Sequence, residues 1–329
     1  MPSASVAVRD APRGRYAVAL SSREGFGTVQ LRDEATALEA ELVPAAGMLV
    51  SSLRHRGAEL LWQGEGVGAY AGDGAFMGVP VLHPWANRLA RFTYELDGRV
   101  GVLRPDSPAV TLDALGQPIH GLLGASALWE VREARATPAG AHLVAQLDFG
   151  AHDELLRGFP FPHRVRIDAL LHDNALTIKT TVRNTGDAPV PLAFGYHPYL
   201  QLPGVDRREW QVVLPVTSRM VLDERMIPIG ESVPVVPYVG AVGARSWDDA
   251  FDGLRRPARF QLRGGGRILE LELSRGYRYA QVFSPPDAPF ICFEPMAAPA
   301  NALVTGAGLE RVASGRQASA SFVVRVREA

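Results

Sequence analysis

Five short stretches of the 329-residue chain gather side chains that can do chemistry. The first is Ala193-Phe194-Gly195-Tyr196-His197-Pro198-Tyr199-Leu200. It sets a histidine between two tyrosines and stiffens the backbone with the next proline. An imidazole held this way suits proton transfer on something flat and polar. The same residues would also make a core turn with an incidental histidine. The second stretch, Phe290-Ile291-Cys292-Phe293-Glu294-Pro295-Met296, is apolar on both faces, so a strand there is buried and Glu294 ends it. A carboxylate in that setting is costly unless hydrogen-bonded, and desolvation makes it a better base. A buried glutamate paired with an arginine is the structural alternative.

The third stretch, residues 78–91, carries His83, Trp85, Asn87 and Arg88. Its two prolines exclude a regular helix or a central strand. A tryptophan face beside amide and guanidinium donors is one way to hold a sugar, stacking on C–H groups while hydroxyls are hydrogen-bonded. The alternative is a structural loop with Trp85 in the core and Arg88 in a salt bridge. The fourth, Ile119-His120-Gly121-Leu122-Leu123-Gly124, follows a histidine with glycines that let other groups approach closely. In the fifth, Asp248 and Asp249 stand beside Trp247 and Phe251, and a paired carboxylate can bind hydroxyls or a metal.

Composition narrows the chemistry. Formal net charge is −1, so no overall field favours nucleic acid, an anionic membrane or an acidic partner. The single cysteine, Cys292, excludes an intramolecular disulfide framework and a CxxC metal site. Lys179 is the only lysine among 34 Lys+Arg, and it lies in a strand-like, solvated setting. There is no GK[ST] phosphate loop, and any phosphate would fall to arginines. No signal-peptide pattern or bilayer-length apolar run is visible, so a cytoplasmic protein is expected.

Alternation dominates the segments that must position these residues. Tyr16 to Leu20, Thr28 to Leu31, Ala37 to Leu42 and Met48 to Arg54 read as strands. Residues 92–100 form a hairpin about Asp97-Gly98. Val165, Ile167 and Ala169 alternate with charged residues, and after Asp173-Asn174 the pattern resumes from Leu176 to Val182. Continued through Leu192, Phe194 and Tyr196, the period turns His197 to the opposite face. Proline-rich loops are expected over 203–240, strands over 259–283 with a turn at Gly264-Gly265-Gly266, and a last strand from Ser319 to Arg327. Glycine and proline, 33 and 25 residues, punctuate the whole length. The expectation is an all-β fold, a large antiparallel β-sandwich with few or no helices. It would form a single domain over 14–329, with 1–13 as a flexible N-terminal segment.

In order and spacing, these stretches resemble the aldose 1-epimerases of the galactose-mutarotase-like superfamily. The matching pieces are residues 80–88, Ile119-His120-Gly121-Leu122, Phe194-Gly195-Tyr196-His197-Pro198-Tyr199, Asp248-Asp249-Ala250-Phe251 and Phe293-Glu294-Pro295. The resemblance implies a large β-sandwich with the sugar in an open cleft across one face. It implies interconversion of α and β anomers of a free aldose without cofactor or metal. His197 matches the family's general acid and Glu294 its general base. Arg88, His120 and one aspartate match substrate-binding positions. Counting back from Phe251 favours Asp248, with Asp249 open. Asn87, Trp85 and Tyr199, or Tyr196, are further candidates to touch the sugar. His83 stands where an apolar or aromatic residue is expected, so the Trp85 loop would present differently.

Three rivals stay open on the residues alone. A hexose-6-phosphate 1-epimerase would need arginines at the cleft. A non-catalytic sugar-binding protein would keep the fold without the acid–base pair. A glycoside hydrolase would need two acting carboxylates. The partner expected is a small-molecule sugar, with neither nucleic acid nor membrane, and the protein would be a monomer or homodimer.

Overall fold

The computed structural model describes residues 14–328. The expected flexible segment 1–13 lies outside them. Within the His163–His172 strand, Val165, Ile167, Ala169 and Leu171 are buried while Arg164 and Arg166 are exposed. Asp173 and Asn174 both take positive φ, 47° and 58°, and return the chain into Ala175–Asn184. Two consecutive left-handed residues give the tight turn whose twist suits flanking antiparallel strands. Asp97 and Gly98 do the same between Thr93–Leu96 and Arg99–Val102.

Nine strands form one antiparallel sheet. Across it run Tyr238–Ala241, Gln211–Leu214, Ala258–Gly264, Arg267–Leu273, Gln317–Glu328, Ala175–Asn184, His163–His172, Gly140–Asp148 and Glu130–Thr137. A second sheet has eight: Pro228–Pro234, Val216–Leu222, Trp247–Leu254, Tyr279–Ser284, Ile291–Met296, Gly195–Tyr196 and Val81–Leu82, with Tyr199–Leu200 also paired to Ile291–Met296. Aromatic rings join the two layers. Phe260 meets Phe293 at 5.3 Å between centroids, and Tyr196 meets Phe322 at 5.0 Å. A five-stranded sheet from Tyr16–Arg23 to Ala58–Glu59 runs in chain order. One hydrophobic core takes in residues from Tyr16 to Val326.

Strands hold 53% of the described residues and helices 8%, so the all-β expectation stands. The α-helices among them are short: Val67–Asp73, Asp153–Gly158 and Ala302–Thr305. None is long and apolar enough to cross a membrane. The expected proline-rich loops of 203–240 are instead largely strand: Gln211–Leu214, Val216–Leu222, Pro228–Pro234 and Tyr238–Ala241. The prolines fit because Pro215 and Pro237 fall between strands, and Pro228 and Pro234 end an edge strand, where a missing N–H costs little.

Candidate active site

The eight-stranded sheet brings His197 and Glu294 together. Gly195 pairs with Met296 and Tyr199 with Cys292, so the chain around His197 runs beside Glu294. The glycine is required by proximity. A Cβ at position 195 would lie 2.6 Å from the Pro295 carbonyl oxygen and 2.8 Å from Ala86 Cβ. Tyr196 turns inward and bonds the Thr180 hydroxyl at 2.5 Å. His197 therefore takes the other face, as the alternation requires. Its Nε2 lies 3.3 Å from Glu294 Oε1. His197 is 5% exposed and Glu294 2%.

Neighbouring strands extend this face. Gln281 is the register partner of Glu294 and donates from Nε2 to Asp248 Oδ1 at 2.6 Å. Asp249 is one residue out of phase, and Arg219 Nη1 donates to its carboxylate at 2.9 Å. Asp248 is thus the aspartate on the Glu294 face.

Two loops supply Arg88 and His120. Asn87 takes φ 59°, and its Oδ1 accepts from the Arg88 backbone N–H at 2.8 Å and from Arg88 Nη1 at 3.4 Å. Arg88 Nε donates to Asp113 Oδ2 at 2.6 Å. The His120 N–H donates to the Asn87 carbonyl at 3.0 Å, which ties the two loops together. Gly121 (φ 82°) lies against His83, where an added Cβ would sit 2.2 Å from the carbonyl oxygen. Only glycine permits both that φ and that contact. The His120 ring centroid lies 5.4 Å from that of His197.

Three other expected sugar contacts fall elsewhere. Trp85 is 1% exposed and packs in the main core, because its neighbour Ala86 takes the face turned towards Gly195. Tyr196 is likewise an interior residue, 2% exposed. Asn87 is 6% exposed, with its carbonyl oxygen turned to Arg88, and so supports the loop. Tyr199 does lie at the site, but it stacks on His197, with centroids 4.4 Å apart and an 11° interplanar angle. His83 departs from the expected apolar residue by forming a buried pair, its Nε2 2.7 Å from His163 Nε2.

Burial sets the protonation preferences. It pushes Glu294 well above the usual carboxylate range; Asp248 adds to that and Arg88 opposes it. It lowers His197 to about 3. Asp248 is raised mainly by burial, and His120 is lowered well below its ordinary value by burial, then by His197 and Arg88. A low dielectric penalises whichever form is charged. The pair therefore favours one shared proton, on the carboxyl, beside a neutral imidazole. His197 Nδ1, His120 Nδ1, Gln281 Oε1 and Glu294 Oε2 are buried without a protein partner. Unpaired buried polar atoms are scarce in proteins, and four of them lie within this one group of residues.

The aldose 1-epimerase family model matches residues 28–316. The chain belongs to the aldose 1-epimerase family. Solved structures share the fold at low identity. A galactose mutarotase-like protein from Clostridium acetobutylicum is 18% identical with a TM-score of 0.83, covering 96% of this chain and 99% of its own. A Synechocystis protein is 22% identical with a TM-score of 0.75, covering 92% and 96%. An aldose epimerase homologue from Caenorhabditis elegans is 16% identical with a TM-score of 0.69, covering 95% and 99%. No curated protein matches in sequence.

Gln281, Asp113 and Phe76 also lie around these residues, and no sequence motif marks them. Gln281 lies in the alternating 259–283 segment, and its role emerges only with the strand register. Asp113 lies in an irregular loop. Phe76 stands among glycines, with its ring centroid 5.1 Å from His120 and 6.0 Å from His197.

Proposed function

We propose that this epimerase-family protein interconverts the α and β anomers of a free aldohexose by acid–base ring opening and closure. The observation that carries this reading is the buried 3.3 Å contact between His197 Nε2 and Glu294 Oε1. Mutarotation removes a proton from the C1 hydroxyl and delivers one to the ring oxygen, so net protonation of the enzyme need not change. A pair holding one proton can do both transfers and exchange roles on closure.

In the proposed forward step Glu294, as carboxylate, takes the C1 proton while His197 protonates the ring oxygen. The C1–O5 bond breaks, the aldehyde rotates, and the hydroxyl closes on its other face. Burial favours the proton on the carboxyl. Arg88 favours the carboxylate, so its charge helps move that proton across to His197. Arg88, His120 and Asp248 hold ring hydroxyls. Gln281 orients Asp248, and Tyr199 supports the imidazole plane from beneath. The Arg88 guanidinium is already paired with Asp113, which favours an uncharged sugar over a phosphorylated one.

Polarimetry or NMR of freshly dissolved α-glucose, α-galactose and glucose 6-phosphate tests the reading. The expected result is faster equilibration of a free sugar, and a loss of about 10²–10⁴-fold in His197→Ala and in Glu294→Gln. Full activity in either folded variant would sink the assignment. Turnover of the phosphorylated sugar alone would move it to a hexose-6-phosphate epimerase.

A further inference from the structure

The acid–base pair is closed. Glu294 Oε2 and His197 Nδ1 are shut off from solvent, and the facing atoms of the pair touch each other. A pyranose must present both C1–OH and its ring oxygen to these groups, so something has to move. The open cleft expected from the family resemblance is, at its reacting centre, covered.

Phe76 is part of the cover. Its ring lies at 20° to the His197 plane and at 74° to His120. It also packs on Leu82, Ala86 and Met296 on one side and on Tyr199, Phe290 and Cys292 on another. Phe76 itself is half-buried, so it stands between these groups and solvent.

The segment that carries Phe76 runs through an exposed stretch between two firm anchors. Tyr70 and Met77 are 2% and 1% exposed in a further apolar cluster that Phe76 also packs against, and the Tyr70 hydroxyl donates to the Gly124 carbonyl at 2.7 Å. Between them Gly72, Asp73 and Gly74 are exposed. An added Cβ at Gly72 or Gly74 meets nothing within 4 Å, so no neighbour demands glycine for space at either position. Gly72 sits inside the Val67–Asp73 helix, where glycine is about 1 kcal/mol worse than alanine. The last helical turn is therefore cheap to unwind.

We propose that Phe76 is a gate. The span from Gly72 to Phe76 swings outward to admit a free sugar, then closes to keep water from the acid–base pair. The sugar's identity rests on the proposed epimerase reading; the motion does not.

The single cysteine reports the motion without activity. Cys292 is fully buried in the cluster that Phe76 packs against. Its labelling rate with methyl methanethiosulfonate is measured in the native full chain, in Phe76→Ala and in Gly72→Ala. Phe76→Ala should label faster. Gly72→Ala should label about fivefold more slowly, the factor that 1 kcal/mol of helix preference gives. Labelling is read well below the urea midpoint of each protein, so that local opening and not global unfolding sets the rate. Glucose or galactose at saturating concentration should slow the wild type. Gly72→Ala should also lower kcat/KM for anomer exchange while leaving its pH profile unchanged. Equal labelling in all three proteins would overturn the gate. Absent turnover with the expected labelling pattern would uphold the gate and count against the epimerase reading.

Discussion

Acid should destabilise this protein through a histidine pair that takes no part in the proposed proton transfers. His163 Nδ1 lies 2.6 Å from the Phe161 carbonyl oxygen, which can only accept, so Nδ1 carries the hydrogen. Neutral His163 then offers a bare Nε2, and His83 donates to it across 2.7 Å. The remaining His83 Nδ1 is buried without a partner. A proton added to His163 sets two N–H groups against each other; one added to His83 charges a buried ring with no acceptor. Burial lowers His163 to about 4 and His83 well below its ordinary 6.5, the adjacent ring adding to the shift in His83; Asp148 opposes the shift in His163. With the folded values below the unfolded ones, the unfolded chain binds more protons between about pH 4 and 6.5, and stability falls as pH falls. At about pH 4.5, His163 alone accounts for roughly 2.5 kcal/mol, a large part of the 5–15 kcal/mol typical of a domain. The perturbation is the double variant His83→Leu, His163→Phe, which removes both partners and keeps a ring on Phe149, now 4.5 Å from His163. Urea unfolding by tryptophan fluorescence is compared at about pH 7 and 4.5. The wild type should lose at least about 2.5 kcal/mol more than the double variant. Parallel losses would refute the reasoning, because every other histidine is common to both proteins.

Three further outcomes follow from the site. Asp113→Asn weakens the 2.6 Å hold on Arg88 and should raise KM several-fold, about 1 kcal/mol, with little change in kcat, in the anomer-exchange assay. Gly121→Ala forces a side chain onto the His83 carbonyl at φ 82°; thermal unfolding should show a loss of more than about 1 kcal/mol. While the protein stays folded, kcat/KM should show no acid limb near the ordinary imidazole value of 6.5, since His197 is lowered to about 3. An acid limb centred on that ordinary value would argue against a desolvated His197.

The strands were legible because their signal is local. The two-residue period over 163–183 and the Asp173-Asn174 turn need no knowledge of the rest of the chain. The strands of 211–241 were obscured by prolines whose harmlessness depends on edge position, a property of the assembled sheet. At the site, the phase of His197 and the burial of Glu294 followed from pattern, while the choice between Asp248 and Asp249 needed a register. Trp85 misled for a physical reason. Tryptophan beside asparagine and arginine suits sugar contact, but backbone direction decides which face it takes, and here that face is the core. Gln281 and Phe76 carry no motif; one gains meaning from its register partner and the other from the rings beneath it.

The ladder between Gly195–Tyr196, Tyr199–Leu200 and Ile291–Met296 has a kinetic consequence. Residues nearly a hundred positions apart acquire their spacing from main-chain pairing, and Arg88, His120 and Asp248 join from still other segments. Such non-local closure is slow compared with hairpin formation. On dilution from denaturant, the hairpin of 163–184 should be paired well before any anomer exchange returns. Recovery of turnover would then time the zipping of the central strands rather than the collapse of the core.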